Sequence, residues 1–91
     1  MLKPILKLGR IVAAPGAMRA AGAMGPIANM LGKHSIGIWG DLDKEDIDAN
    51  DHALIHGGRI LSAYWIRDAI KVWVITEADR SSTTILLPEE Y

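Results

Sequence analysis

Hydrophobic and polar positions alternate most regularly in the last third of the chain. From Ile60 to Ile66 one row is Ile60, Ser62, Tyr64 and Ile66, and the other is Leu61, Ala63 and Trp65. From Lys71 to Thr76, Trp73 and Ile75 share one face and Val72, Val74 and Thr76 the other. Period-two sorting of β-branched and aromatic side chains predicts two strands. Neither is cleanly apolar on one side, so both faces are expected to be at least partly covered. Arg67-Asp68 and Ala78 to Ser81 carry turn-forming residues. Thr83 to Leu87 reads as a third strand that Pro88 stops, having no backbone donor. The simplest arrangement is an antiparallel meander.

Before it the pattern changes. Leu8 to Ala14 is a short strand candidate ended by Pro15-Gly16, a fourth strand on an edge or between ends. Residues 16–33 are rich in Ala, Gly and Met. They read as two short helices, Gly16–Ala23 and Pro26–Gly32, with loose order as the alternative, because interior glycine costs about 1 kcal/mol against alanine. His34 to Gly40 reads as a linker anchored by Trp39. The strongest helix follows: Asp43 is its cap with Asp46 three residues on, and Leu42 and Ile47 stand at staple positions. Ile47, Ala53 and Leu54 form its expected sheet-facing stripe, and Gly57-Gly58 ends it in a left-handed turn. The predicted fold is therefore α+β. It has a mainly antiparallel sheet of three to four strands, one well-capped helix and one or two short helices, in one domain over 1–91 with residues 1–7 flexible.

Composition sharpens this picture in three places. No cysteine is present, which removes disulfides and thiolate sites and fits a reducing cytoplasm. Phe is also absent, so Trp39, Trp65 and Trp73 carry much of the aromatic volume. Net charge is −1, which gives no global pull toward nucleic acid. Charge is divided, however. Lys3, Lys7, Arg10, Arg19 and Lys33 precede any acid, and then Asp41, Asp43, Glu45, Asp46, Asp48 and Asp51 face Lys44 alone. Attraction between the two regions within the fold is the plain expectation. Arg10, Pro15 and Arg19 interrupt every apolar run near the start, so neither a secretory signal nor a membrane span is expected.

Three pieces of the chain form a further pattern. They are Trp39-Gly40-Asp41 with Glu45-Asp46 and Asn50; Gly57-Gly58-Arg59 with Leu61 to Tyr64; and Val72 to Ser81 running through Thr83-Thr84 to Pro88. With Ala14 to Ala17, they resemble a family of small uncharacterised bacterial proteins found on plasmids and other mobile DNA. The resemblance covers residues 8–91 and implies a bacterial, cytoplasmic origin and no established activity. Two positions depart from it: Ile38 stands where an acid precedes the Trp, and Ala69 replaces the Gly of an Asp-Gly turn.

Candidate chemistry is sparse. The run from Asp41 to His52 has acids at the first, third and fifth places of a calcium loop. Asp46 stands where its glycine belongs and His52 where its final Glu belongs, which excludes an EF-hand. Capping and solvation explain the run, with loose divalent binding as the alternative. Asp48, His52 and His56 share a helical stripe, readable as a zinc or nickel site or as a solvated face with an Asp48–His52 pair. In the Glu77 to Ser81 turn, Arg80 could fork a carboxylate or phosphate; structurally, Asp79 would bond its own backbone and Arg80 a nearby acid. No nucleophile triad, phosphate loop or cofactor motif is present. Trp39, Asp41, Asp46, Asn50, Glu77, Asp79 and Arg80 are thus the candidate binding residues, with no catalytic, metal or cofactor set. The leading expectation is a non-enzymatic module that binds a protein or itself. The alternative is a small enzyme or ligand- or metal-binding domain built on the acidic helix start and the Glu77–Ser81 turn.

Overall fold

The architecture was obtained as a computed structural model that describes residues 3–67 and 69–91. In chain order the elements are β1 (Arg10–Ala13), α1 (Pro15–Ala21), α2 (Met24–Ser35), α3 (Lys44–His56), β2 (Ile60–Arg67), β3 (Ile70–Thr76) and β4 (Ser82–Leu86), followed by a 3-10 turn at Pro88–Glu90. The fold is α+β, as the pattern predicts. The sheet order is β1-β4-β3-β2. β2, β3 and β4 form the antiparallel meander, while β1 joins as an edge strand parallel to β4. Gly9 makes that junction feasible. Its φ is +66°, and a Cβ there would collide with the carbonyls of Arg80 and Ser81. Close approach lets Arg10 N–H reach Ser81 O at 3.0 Å. Met1 and Leu2, the start of the segment expected to be flexible, and Asp68, expected in the β2–β3 turn, lie outside the described residues.

The strand rows sort as the alternation requires. Tyr64, Val72, Val74 and Ile85 point to one face and are buried under Ala17 and Ala21 of α1 and Ile27 and Met30 of α2. A second cluster, Leu6, Trp39, Ala53 and Ile60, closes the side where α3 runs along β2. The opposite face carries Val12, Leu61, Trp65, Trp73, Ile75 and Leu86. Among the described residues no α-helix packs on it, although Ala63, Ile75 and Leu86 are buried there and the Tyr91 ring lies against Trp73.

Several local expectations are corrected. α2 extends over Met24–Ser35 rather than Pro26–Gly32, because Lys33 suits the negative helix end and His34 is buried with partners. His34 therefore belongs to the helix and not to the linker. The cap at Asp43 forms, its carboxylate accepting Asp46 N–H at 2.9 Å. Ile47 is exposed rather than stapled, and α3 buries Asn50 with Ala53 instead. The helix ends on Gly57, whose φ of 85° goes with an extended ψ of 149° rather than a left-handed turn. Ala69 keeps a glycine-like φ of 55°, so the Ala does not abolish that backbone bend. Finally, the ion pairs among the described residues are Lys44–Asp48, Arg59–Glu77 and Lys71–Asp41. None joins the basic first forty residues to the acidic run.

α1 illustrates how a distant residue replaces a local cap. Ala14 has no side chain that can accept from the first turn. The Glu90 carboxylate does so instead, taking Gly16 N–H at 2.7 Å and Ala17 N–H at 3.1 Å as well as Leu87 N–H at 2.9 Å. These donors, Leu87 first, hold the Glu90 carboxyl below its ordinary range.

Candidate functional site

The helix-start residues close the outer edge of β2. Trp39 O accepts from Ala63 N–H at 2.9 Å and Asp41 N–H donates to Ala63 O at 2.7 Å. The two bonds bracket Gly40, whose φ is +79° and whose Cβ would run into Ala63 O. One step along the strand, Asn50 Nδ2 donates to Leu61 O at 2.7 Å while its Oδ1 accepts from Leu61 N–H at 3.0 Å. The Asn50 amide thus satisfies both edge groups of one residue as a neighbouring peptide would. The Trp39 indole packs into the second cluster and meets the His34 ring edge-on at 5.7 Å. The Asp41 carboxylate accepts from Trp65 Nε1 at 2.9 Å and pairs with Lys71 Nζ at 3.1 Å. Those two donors, Trp65 first, depress its pKa. Asp46 is exposed in the first turn of α3.

The turn residues gather at the other end of α3. Arg80 lies at φ +62°. Its Nη1 donates to Gly58 O at 2.6 Å, Glu77 O at 3.0 Å and Ala78 O at 3.2 Å, and Nη2 donates to Ala53 O at 3.0 Å. The guanidinium therefore ties the exit of α3 to the β3–β4 turn through carbonyls, and not through the nearby acid that the sequence suggests. Asp79 Oδ1 accepts from Ser81 N–H at 2.9 Å, the expected self-bonded turn, and Ser81 holds its carboxyl below the ordinary range. Glu77 pairs with Arg59 at 3.5 Å.

These two groups do not share a cavity. Asp41 bonds residues near the β2–β3 end of the sheet, and Arg80 sits in the β3–β4 turn at the opposite end of β3. Trp39, Asp41 and Asn50 are brought together along one edge; Glu77, Asp79 and Arg80 are brought together at one turn. Asp48 pairs with Lys44 at 2.8 Å rather than with His52, and the His52 and His56 rings stack at 4.4 Å. Among the described residues, no three His, Asp or Glu side chains lie together as a metal site would need.

Two features escape local pattern reading. The first is a buried polar relay between the hydrophobic clusters. Its contacts are His34 Nδ1 to Ser62 Oγ at 2.5 Å, His34 Nε2 to Thr76 Oγ1 at 2.9 Å, and Thr76 Oγ1 to Thr83 Oγ1 at 2.6 Å. Thr83 Oγ1 donates to Leu8 O at 2.7 Å. Because a carbonyl can only accept, the direction of each bond from Leu8 back to His34 Nε2 follows, and a neutral ring fixes the last one. Thr83 donates to Leu8, Thr76 to Thr83, His34 Nε2–H to Thr76, and Ser62 to the bare Nδ1. Burial lowers the His34 pKa to about 4, so the imidazole is neutral, and with its proton on Nε2 the bare Nδ1 accepts from Ser62. Ser62 beside a histidine has the outline of a nucleophile and base, but both are fully buried, so no substrate can reach them. Polar residues in the inward rows at Ser62 and Thr76 were the available signal, since such groups need partners.

The second feature is the uncovered sheet face. Trp65 is 55% and Tyr91 67% exposed. The Trp73 and Tyr91 rings meet edge-on at 5.8 Å, and the Arg59 guanidinium lies 5.3 Å from the Tyr91 ring. Lys71 Nζ lies 4.8 Å from the Trp65 ring. Arg59, Leu61, Trp73, Ile75 and Tyr91 line a cleft of about 260 Å³.

No family model, curated protein or solved structure matches this chain. Among the described residues, no helix is long and apolar enough to cross a membrane.

Proposed function

We propose that this chain is a non-enzymatic protein-interaction module whose contact surface is the sheet face that no α-helix covers, centred on its exposed aromatic side chains. One observation carries the reading: helices bury one face, while the other leaves Trp65, Trp73, Tyr91, Leu61 and Val12 wholly or partly in water. Aromatic side chains with cationic neighbours are the composition of interface centres. The resemblance of the Trp39-Gly40-Asp41 and Thr76-to-Ser81 motifs is the ground for reading the module as a cytoplasmic accessory protein of bacterial mobile DNA. The alternative, a small enzyme or ligand- or metal-binding domain, would need the acidic helix start and the Glu77–Ser81 turn to act on one molecule from opposite ends of β3.

The test is reconstitution with a purified partner recovered from the host. Trp65→Ser and Trp73→Ser are expected to weaken binding at least tenfold, while Asp48→Ala on the exposed side of α3 leaves it unchanged. Equal affinity for all three variants would refute the assignment of the face.

A further inference from the structure

We propose that the outer edge of β1 takes a second copy of this chain, antiparallel across a two-fold axis, joining the two sheets into one. This deepens the interaction reading by naming one partner, and it uses the strand edge rather than the aromatic face.

The edge is open by geometry. Arg10 and Ala14 donate inward, to Ser81 O and Ile85 O. With a strand period of two, the N–H and C=O of Ile11 and Ala13 turn outward. Among the described residues nothing bonds them, and Ile11 and Val12 are 44% and 42% exposed. Edges are ordinarily blunted by charge, proline, a bulge or a covering segment. β2 is covered by Asn50 and by Trp39–Asp41, whereas β1 is left uncovered and is limited by its four-residue length, by Arg10 at its start and by Pro15 beyond its end.

Charge selects the occupant. Arg10 stands at the entrance of β1, and the Glu90 carboxylate stands at its exit, on the N–H groups of Gly16 and Ala17. Antiparallel pairing with Val12 facing its own counterpart sets Ile11 opposite Ala13, so all outward groups are matched. It also sets Arg10 opposite Ala14, beside the other copy's Glu90, and the two-fold repeats that approach. Shifting the register by one residue faces outward groups with inward ones. Shifting it by two, to put Ile11 opposite Ile11, moves Arg10 away from the acid.

Size-exclusion chromatography with light scattering on the full chain tests this. The expected result is a mass near twice 9.9 kDa at high concentration, falling on dilution. Ile11→Pro removes an outward N–H but no bond to β4, so it should give a monomer with an unchanged circular dichroism spectrum. Arg10→Glu should raise the dimer dissociation constant about tenfold, the scale of a rim charge pair. Cα atoms of a non-hydrogen-bonded antiparallel pair lie about 4.5 Å apart, within disulfide range. Val12→Cys, in a chain with no other cysteine, should therefore crosslink on mild oxidation, and Thr84→Cys should not. A chain that stays monomeric at its highest soluble concentration yet binds a partner through Trp65 overturns the pairing and leaves the interaction reading standing. A dimer that persists in both Ile11→Pro and Arg10→Glu and that Val12→Cys does not lock also overturns it.

Discussion

At the β2 edge, the Asn50 amide stands where a further strand's peptide would be, and Trp39 and Asp41 supply the next two bonds. At the β1 edge, Ile11 and Ala13 turn the same kinds of group to solvent. The first arrangement uses Gly40, Asn50 and a correctly placed α3; the second uses nothing beyond four residues of strand. Closing an edge therefore accounts for much of the Trp39–Gly40–Asp41…Asn50 motif, and residues grouped as a candidate site are also the ones that end the sheet. One edge of the sheet is open and the opposite one closed, and this asymmetry is the ground for the proposed β1 pairing.

The sharpest way to break this comparison is at Gly40. Gly40→Val forces a β-branched residue to positive φ and pushes Cβ into Ala63 O. The loss should be roughly 2–5 kcal/mol, the sum of left-handed strain and overpacking, read by urea unfolding. An equally stable variant would show that the 39–41 segment is not held against β2.

Acid should act on both edges together, because the His34 relay runs from Ser62 of β2 to Leu8, just before β1. The folded pKa of about 4 lies below the ordinary 6.5, so the folded state binds the proton less readily than the unfolded chain. That contribution is fully present above pH 6.5 and is lost as pH falls toward 4, by on the order of 3 kcal/mol. Thermal unfolding across this window should show the slope in the native chain and its loss in His34→Gln.

Asn50→Ala should cost roughly 2–3 kcal/mol, since it leaves Leu61 N–H and C=O without a partner. Hydrogen exchange on this variant should speed up at Leu61 and leave Ile11, already unprotected in dilute solution, unchanged. The smallest effect is expected at the turn joining β2 to β3. Ala69→Gly should stabilise by about 1 kcal/mol by relieving the positive φ, without altering exchange at either edge.

How much of this was legible follows from which residues act locally. The rows Ile60/Tyr64 and Val72/Val74 announce their strands because alternation is a property of neighbouring residues. Asp43 likewise announces a helix start. The pattern shortens α2 because Gly25 and Gly32 count against a helix by propensity, while the burial of His34 that extends it depends on strands far along the chain. Nothing near Asn50 shows that its amide will face a strand edge, although a polar residue three positions before a buried Ala53 marks the inward stripe. Arg80 looks like a free guanidinium until four carbonyls from α3, Gly58 and its own turn converge on it. The candidate residues were thus locatable, but their partners lay across the fold.

The parallel pairing of β1 with β4 also sets an order of events during synthesis. Arg10–Ala13 is made some seventy residues before its ladder partner Ser82–Leu86 and the Glu90 carboxylate that caps α1. The meander can zip by local hairpins, whereas β1 must wait for a long loop to close, the slow class of contact. Until Ser82–Leu86 is made, the Arg-Ile-Val-Ala segment has no ladder partner in its own chain. The strand that docks last is thus the one whose edge is free to meet another chain first.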